Sequence, residues 1–226
     1  MPVSVGYHGN YLWHLPLVVS NIMGILDRPF AAVYDRAIAS METKWLGAAR
    51  RQMLAGVTGN VLEVGAGTGA NFQYYSAQAK VTATEFSKYF IKRAAAKITG
   101  ASAEITLQEA DAENLPFADD TFDAAVGTLV FCSVHDQMKA LSEVRRVTKP
   151  GASLLMIEHV QADTPGKRMI LNLWNPCQKV LAGGCNLNRD TRAAVVAAGF
   201  KIDEVRTLMV ESGLSPHVLI RATNAK

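Results

Sequence analysis

Five short, mostly apolar runs recur along the middle of the chain. Each is short enough to form one buried β-strand. They lie at Val61–Val64, Val81–Thr84, Ile105–Leu107, Phe122–Phe131 and Ser153–Ile157. Because the intervals between them leave room for helices, the pattern predicts strands that alternate with helices.

Helical patterns fall between most of these runs. Ser87–Ile98 begins at a serine suited to a helix N-cap, and Asp136–Val147 ends before Lys149-Pro150-Gly151, a stop signal. A further helical pattern follows Asp27. Short buried strands that alternate with helices form a parallel sheet covered on both faces.

The last quarter of the chain has a different order of elements. A helical pattern at Arg189–Ala198 precedes two strand patterns, Lys201–Val210 and His217–Ala222, which a short Ser-, Gly- and Pro-containing loop joins. Strands joined so closely pair antiparallel. We therefore predict an α/β fold of Rossmann-like type: a seven-stranded, mostly parallel sheet with a terminal antiparallel hairpin.

The N-terminal segment is unusual because residues 1–26 contain no Asp, Glu, Lys or Arg. Residues 11–26 are rich in apolar and aromatic side chains, but Pro16 and polar residues interrupt them, which argues against a membrane-spanning helix. We predict that residues 1–50 form a helical cap over the ligand site of a domain at 51–226. The alternative is peripheral membrane contact through residues 11–26, with Tyr11 and Trp13 at the interface.

Composition narrows the classes of function. The 226 residues suit one domain, and the net charge of +3 arises from scattered basic residues, so no nucleic-acid partner is expected. The cysteines, Cys132, Cys177 and Cys185, are odd in number and lack CxxC spacing. The cysteines therefore predict neither a disulfide framework nor a structural zinc site. The carboxylates and histidines are not spaced as metal ligands, so no other metal site is predicted. A reducing, cytoplasmic environment fits best.

A glycine-rich segment, Glu63-Val-Gly65-Ala66-Gly67-Thr-Gly69, includes the end of the first predicted strand. Glycines there allow a tight turn and close approach of the backbone to a ligand at the carboxyl edge of the sheet. The same spacing satisfies a relaxed dinucleotide fingerprint. Glu63 favours another ligand, because a carboxylate at that point can bind a cationic amino-acid group but repels a pyrophosphate.

Further acidic residues end the next two strands. Glu85 lies where a carboxylate accepts hydrogen bonds from ribose hydroxyls, and Phe86 beside it can pack on adenine. Asp111 can accept from the exocyclic amine of adenine, while the backbone N–H of Ala112 bonds a ring nitrogen. With the glycine segment, these positions predict a nucleoside site for a ligand that also has a cationic end.

In this order the motifs resemble the class I S-adenosylmethionine (SAM)-dependent methyltransferases, in the branch with a DAExLPF segment, here Asp111–Phe117. The resemblance covers about residues 60–160. It implies the class I methyltransferase variant of the Rossmann-like fold, SAM as methyl donor and S-adenosylhomocysteine as product. It also implies donor contacts from Tyr34, before the glycine segment, and from Thr128, in the fourth strand.

A narrower resemblance covers more of the chain, on Gly69–Tyr75, Thr128–Val134, Glu143–Val147, Glu158–Val160 and Gly184–Arg189. These segments are similar to the methyltransferase-like proteins of animal endoplasmic reticulum and lipid droplets. Members of that family are alkyl-thiol S-methyltransferases with an N-terminal hydrophobic anchor. The resemblance implies a thiol as the first choice of acceptor. The apolar N-terminal segment and the Trp174–Arg189 region, between which the acceptor is predicted to enter, indicate that it is small and lipophilic. The uncharged N-terminal segment here is shorter and more polar than that anchor.

Two histidines are candidates for acid–base work at the acceptor, because a thiol must lose its proton before it attacks. His135 follows the fourth strand. His159 ends the fifth strand beside Glu158, whose carboxylate can orient an imidazole.

The segment after Trp174 can cover the acceptor with Cys185, Asn186 and Arg189. The alternative is a connecting turn in which Gly183 and Gly184 permit tight geometry and Asn188 caps the next helix.

Other functions stay open on the sequence alone. Enzymatic alternatives are N-methylation of a phospholipid headgroup, such as phosphatidylethanolamine, and C- or O-methylation of a quinone or isoprenoid. A non-catalytic SAM-binding module would bind the donor without turnover. An NAD-dependent dehydrogenase is less expected, because no substrate domain follows the nucleotide motifs. The sequence does not determine the oligomeric state.

Overall fold

The computed structural model describes residues 33–208 and 216–226. A seven-stranded sheet has the order β3-β2-β1-β4-β5-β7-β6. Its strands are β1 (Gly59–Val64), β2 (Ala79–Glu85), β3 (Glu104–Glu109), β4 (Phe122–Thr128), β5 (Thr148–His159), β6 (Phe200–Thr207) and β7 (His217–Asn224).

Strands β1 to β5 are mutually parallel, and β7 runs antiparallel to both β5 and β6. The predicted fold class is therefore confirmed. In the central register, Val64 lies opposite Thr84 on one side and Gly127 on the other. Because parallel strands end at a common edge, the segments that follow β1, β2, β4 and β5 meet there, as the sequence predicts for a ligand site.

Helices cover both faces of the sheet. Helix α1 comprises the helical residues 33–41, a π-helical turn at Glu42–Leu46 and an α-helical stretch at Gly47–Leu54. The others are α2 (Lys88–Ile98), α3 (Gln137–Val147), α4 (Pro165–Leu181) and α5 (Thr191–Ala197).

Two apolar cores separate the helices from the sheet. Leu46 and Met53 of α1 pack with Val61 in one core, whereas Leu141 of α3 packs with Leu62 in the other. The consecutive residues Val61 and Leu62 enter opposite cores because successive side chains of a strand face opposite sides.

Some element boundaries differ from the sequence prediction for local reasons. The fourth run ends as a strand at Thr128, where Leu129 adopts φ +57°. Asp136 caps α3 by accepting from the Lys139 backbone N–H, but Ser87 occupies the N-cap position of α2 without a side-chain capping bond. Helix α4, which begins with Pro165, was not predicted.

The predicted boundary at residues 50/51 falls inside α1, and residues on both sides of it are buried in one core. Residues 1–32, which include the 11–26 segment, lie outside the described residues, so the division into cap and domain stays a prediction. Within the described part of the chain, no helix combines the length and apolarity needed to cross a membrane.

Candidate active site

The glycine segment turns tightly away from the end of β1. Gly65 and Gly67 have φ values of +62° and +58°. A Cβ on Gly65 would lie 2.3 Å from Cγ2 of Val130, whereas a Cβ on Gly67 would meet no atom within 4 Å. Gly65 therefore permits close packing of two loops, and Gly67 leaves space for a ligand against the backbone.

Two other predicted residues of this turn hold its shape. The Ala66 backbone N–H donates to the Thr84 carbonyl at 2.9 Å, and the Gly69 N–H donates to the Ala66 carbonyl at 2.9 Å. The turn is thus fixed to the end of β2 by backbone hydrogen bonds.

Glu85 lies at the end of β2 and binds the glycine segment directly. Its carboxylate accepts from the backbone N–H groups of Gly67, at 2.8 Å, and Ser87, at 2.9 Å. A carboxylate offers about four acceptor positions, so ribose hydroxyls can share it with these N–H groups. Phe86 beside it is 70% exposed, which leaves its ring accessible to adenine.

The Asp111 loop lies beside Glu85 at the same edge. The Ala110 backbone N–H donates to the Glu85 carbonyl at 3.1 Å, which ties the two strand ends together. The Asp111 carboxylate is exposed and accepts from the Glu113 N–H at 2.8 Å, and Ala112 is half-buried. The loop therefore lies at the sheet edge where adenine is expected, and its contacts with adenine through Asp111 and Ala112 stay a prediction.

Glu63 is buried beneath the glycine segment, with 1% of its surface exposed. Its Oε1 accepts from Nδ2 of Asn71 at 3.0 Å, and the same amide donates to Oγ1 of Thr128 at 3.2 Å. Arg50 of α1 donates to Oδ1 of Asn71 at 2.7 Å. Burial raises the pKa of Glu63 to about 7.

Sequence reasoning missed Arg50 and Asn71, which hold this carboxylate in place. Asn71 falls in the Gly69–Tyr75 segment that carries the narrower resemblance, so the signal was present but no role was assigned. Arg50 gave no signal, because a basic residue on a helix is ordinarily exposed, whereas this one is 4% exposed.

Three observations fit SAM at this edge. Oε2 of Glu63 is buried and makes no hydrogen bond of standard geometry to the residues that the structure describes, although the Tyr75 hydroxyl is close enough to lower the Glu63 pKa. This oxygen can therefore accept from the donor's ammonium group. The space above Gly67 admits a ligand against the backbone, and Glu85 can accept from ribose hydroxyls. When bound, SAM supplies a methyl group on a positively charged sulfur.

Helix α1 is fastened to the glycine segment through Asp35. This carboxylate accepts from Oγ1 of Thr68 at 2.5 Å and pairs with Lys97 at 3.4 Å. Burial raises the pKa of Asp35, but the Thr68 hydrogen bond and the positive charge of Lys97 outweigh it and leave that pKa lowered.

The Tyr34 ring packs edge-on against Phe90, with centroids 5.3 Å apart, and burial raises the pKa of Tyr34 to about 12. Its donor contact stays a prediction.

Replacing Glu63 with Gln tests whether this carboxylate binds a proton in the folded protein, through the pH dependence of the free energy of unfolding. The folded protein holds the Glu63 proton more tightly than the unfolded chain, where the pKa is near 4.5. The stability that this protonation contributes is therefore present below pH 4.5 and lost as pH rises through about 7. Without SAM, Glu63→Gln should gain stability over the wild type across that window, by on the order of 3 kcal/mol at pH 8.

Urea unfolding at pH 5 and pH 8 measures this gain, with the exposed Glu109→Gln as control. The same Glu63→Gln variant should bind SAM at least ~10-fold more weakly, because a charge-assisted hydrogen bond is lost. A stability difference that does not change between the two pH values would refute the buried, proton-binding carboxylate.

On the acceptor side, Glu158 does not orient His159 as the sequence suggested. The Glu158 carboxylate is fully buried and accepts from the backbone N–H groups of Val130, Phe131 and Cys132, at 2.9, 2.9 and 3.1 Å. The expectation was wrong because adjacent residues of a strand point to opposite faces. Glu158 instead fixes the loop that follows β4.

The two candidate histidines lie in different surroundings. Nδ1 of His159 lies 3.3 Å from Sγ of Cys185, and its ring packs against that of His217 with centroids 3.8 Å apart and a 42° tilt. His135 is exposed, and its carbonyl accepts from Arg189 at 3.1 Å. The structure thus places His159 beside a thiol, whereas an acid–base role for either histidine stays a prediction.

The segment before α5 closes over the loop after β4. Gly183 and Gly184 have positive φ values of 58° and 94°, as the turn interpretation requires. Arg189 donates to the Phe131 and Val134 carbonyls, at 2.7 and 2.6 Å. The cap of α5 is not Asn188 but Asp190, which accepts from the Ala193 backbone N–H at 3.1 Å.

Cys132 and Cys185 meet where these two segments touch, with their Sγ atoms 3.5 Å apart. The hydrogen bond between the two thiols, followed by that with His159, lowers the pKa of Cys185, and the same bond between the thiols raises the pKa of Cys132. Spacing alone could not reveal this cluster, because Cys132, His159 and Cys185 come from three separate segments.

The chain is similar to known methyltransferases in sequence and fold. A methyltransferase-domain family matches residues 62–156. The human thiol S-methyltransferase TMT1A is 32% identical over 207 residues, 84% of this chain and 80% of that protein. A phosphatidylethanolamine N-methyltransferase of Cereibacter sphaeroides is 32% identical over 137 residues, 58% of this chain and 66% of that protein.

Solved structures show the same fold at lower identity. A geranyl diphosphate methyltransferase solved in complex with SAM has a TM-score of 0.62 at 16% identity, over 78% of this chain and 83% of that chain. With the glycine segment, Glu63, Glu85 and Asp111 at one sheet edge, and with TMT1A similar over most of its length, the chain belongs to the class I SAM-dependent methyltransferases, close to the thiol S-methyltransferases.

Proposed function

We propose that this enzyme transfers the methyl group of SAM to the sulfur of a small, lipophilic thiol, with a thioether and S-adenosylhomocysteine as products. The observation that carries the proposal is the similarity to TMT1A across 80% of that protein, which includes both the donor and the acceptor side of the sheet edge.

The chain's own residues would bind and align the two reactants. Glu63, Glu85 and the Asp111 loop hold the donor's ammonium group, ribose and adenine at the ends of β1 to β3. Val130 packs directly against Gly65, so the loop that follows β4, called the acceptor loop below, adjoins the donor site. Alignment of this kind supplies most of what an in-line methyl transfer needs. His135 and His159 are the predicted bases for the thiol proton.

The surface of α4 supports a lipophilic acceptor. One side chain, Leu171, is buried against the cluster of Cys132 and Cys185. The helix also carries large apolar side chains that are at least half exposed: Met169, Ile170, Leu173, Trp174, Val180 and Leu181.

The charge of α4 supports a lipid surface as the partner of this apolar face. The helix carries Lys167, Arg168 and Lys179 and no acidic residue. Exposed apolar side chains with basic neighbours are typical of helices that lie in a membrane interface. We propose that α4 is a peripheral membrane contact of a cytoplasmic enzyme, with residues 11–26, outside the described residues, as a second contact.

The double substitution Leu173→Ser and Trp174→Ser tests this contact. It should weaken binding to vesicles of phosphatidylcholine and phosphatidylserine at least ~10-fold, because the apolar surface of two side chains is no longer transferred from water into the membrane. Val196→Ser, at a similarly exposed residue of α5, is the control and should bind as the wild type does. Vesicle flotation measures both, and equal binding by the double variant and the wild type would overturn the contact.

The methyl acceptor is tested by labelled SAM offered with an alkyl thiol, phosphatidylethanolamine vesicles and a demethylated quinone in parallel reactions. Label on the thiol alone is the predicted result. Label on the phospholipid alone, or on the quinone alone, would identify that molecule as the acceptor and contradict the thiol. SAM binding without transfer to any acceptor, in these assays and in lipid extracts, would favour a non-catalytic SAM-binding module.

A further inference from the structure

Three potential metal ligands converge at the acceptor side of the sheet edge. Cys132 lies in the loop after β4, His159 ends β5 and Cys185 lies between α4 and α5. Their ligand atoms all lie within 4.8 Å of one another. Cys132 is 0% and Cys185 6% exposed, and His159 is half-buried.

Two of the three distances within this cluster are close to those around a tetrahedral metal. Zinc bonds of ~2.3 Å to sulfur and ~2.0 Å to nitrogen place two sulfurs about 3.8 Å apart and a sulfur and a nitrogen about 3.5 Å apart. The observed distances are 3.5 Å from Cys185 Sγ to Cys132 Sγ and 3.3 Å from Cys185 Sγ to His159 Nδ1. The third pair, Cys132 Sγ and the ligand nitrogen of His159, lies within 4.8 Å. Binding the ion would therefore draw these two ligands together by up to about 1.3 Å, while the other two distances change by a few tenths of an ångström.

Surrounding residues hold each ligand-bearing segment in place. Glu158 binds the Cys132 backbone N–H, and Asn186 donates through Nδ2 to the Cys132 carbonyl at 3.0 Å. The His159 ring packs at a tilt against His217, which in turn packs against Trp45. Metal sites depend on such supporting contacts to orient their ligands.

The cluster lies next to the donor site. Val130, which would contact any Cβ on Gly65, is two residues before Cys132. Gly127, in the strand that leads to this loop, is paired with Val64, directly before Gly65. A group bound at the cluster therefore lies on the acceptor side of the same sheet edge.

We propose that Cys132, His159 and Cys185 bind a zinc ion with one open position, and that this position binds the acceptor thiol as a thiolate. The identity of the acceptor rests on the proposed function, whereas the zinc site does not. Two cysteines and one histidine with an open fourth position form a known ligand set of catalytic zinc.

The chemistry balances without a protein base, so in this inference His159 is a metal ligand and not the base predicted above for the thiol proton. The S–H bond of the acceptor breaks as its sulfur bonds zinc in place of water, and the proton leaves to solvent. In the transfer, the acceptor sulfur forms a bond to the methyl carbon while the methyl–sulfonium bond of SAM breaks, and that electron pair stays on the sulfur of S-adenosylhomocysteine. The neutral thioether binds zinc weakly and is released.

Cobalt(II) substitution in the full-length reduced protein tests the site. We expect one equivalent of Co²⁺ to give the visible and near-ultraviolet bands of a tetrahedral cobalt thiolate, and Zn²⁺ to displace it. Cys132→Ser and Cys185→Ser should weaken cobalt binding more than ~100-fold, since each removes a direct ligand. Cys177→Ser, at an exposed cysteine of α4, is the matched control and should keep the full spectrum.

If a variant of a buried cysteine does not fold, measurements on the wild-type protein alone still test the site. Zn²⁺ should raise the melting temperature and a chelator should reverse this rise; a missing cobalt spectrum or an unchanged melting temperature would overturn the site. Adding an alkyl thiol should shift the cobalt bands, and an unshifted spectrum would overturn thiol binding at the metal.

Activity separates this inference from the proposed function. Thiol methylation that survives complete zinc removal would overturn thiol activation by zinc while leaving the proposed function intact. A cobalt spectrum in a protein that methylates only another acceptor would leave the zinc site standing and overturn the thiol as acceptor.

Discussion

Replacing Glu85 with Ala should lower the affinity for SAM at least ~100-fold. The carboxylate accepts from the Gly67 and Ser87 N–H groups and is predicted to accept from the ribose hydroxyls as well. Losing hydrogen bonds to a charged group costs about 1.5–3 kcal/mol each, and about 2.7 kcal/mol corresponds to 100-fold in affinity. Calorimetric titration with SAM measures the effect.

Glu109→Ala is the matched control for this prediction. Glu109 ends β3 directly opposite Glu85 in the sheet register, and it is exposed. It should bind SAM as the wild type does. If Glu85→Ala stays folded by circular dichroism and its SAM affinity falls less than ~3-fold, Glu85 has no part in donor binding.

Gly65→Ala should abolish donor binding and destabilise the fold by several kcal/mol. The new Cβ would lie 2.3 Å from Cγ2 of Val130, and the backbone φ of +62° disfavours a side chain. Overpacking costs about 1–3 kcal/mol and the positive φ about 1–2 kcal/mol more. Because the glycine segment and the acceptor loop would both have to move, SAM binding and methyl transfer should fail together.

Gly151→Ala separates steric overlap from backbone strain. Gly151 has φ +76°, but a Cβ there would meet no atom within 4 Å. It should lose only about 1–2 kcal/mol in urea unfolding and keep SAM affinity. Equal losses in the two variants would mean that the contact between Gly65 and Val130 does not shape the donor site.

Most of the fold could be predicted because its signals are local. The apolar runs that became β1 to β5 are short and bounded, and Asp136 and the Lys149-Pro150-Gly151 signal mark where α3 begins and ends, although these last three residues lie in β5 and not in a turn. Helix α4 was missed because Pro176 lies inside it, and a proline within a periodic apolar pattern is typical of a helix end. Whether such apolar side chains face a core or the protein surface cannot be predicted from their spacing along the chain.

More of the donor side of the site than of the acceptor side could be predicted from the sequence. Glu63, Glu85 and Asp111 each follow or end a strand, so sheet topology alone brings them to one edge. Cys132, His159 and Cys185 meet only because Arg189 and Asn186 bind the loop after β4. Such a tertiary contact has no signature in sequence spacing, which is why three isolated residues suggested no cluster.

The most direct test of the central claim is a single-turnover reaction of the enzyme with trideuteromethyl SAM and an alkyl thiol, followed by mass spectrometry. The account predicts one trideuteromethyl thioether for each S-adenosylhomocysteine formed, with the yield lost in Glu85→Ala and kept in Glu109→Ala. SAM that is bound but leaves the thiol unlabelled, while the label appears on an amine, oxygen or carbon acceptor, would contradict it.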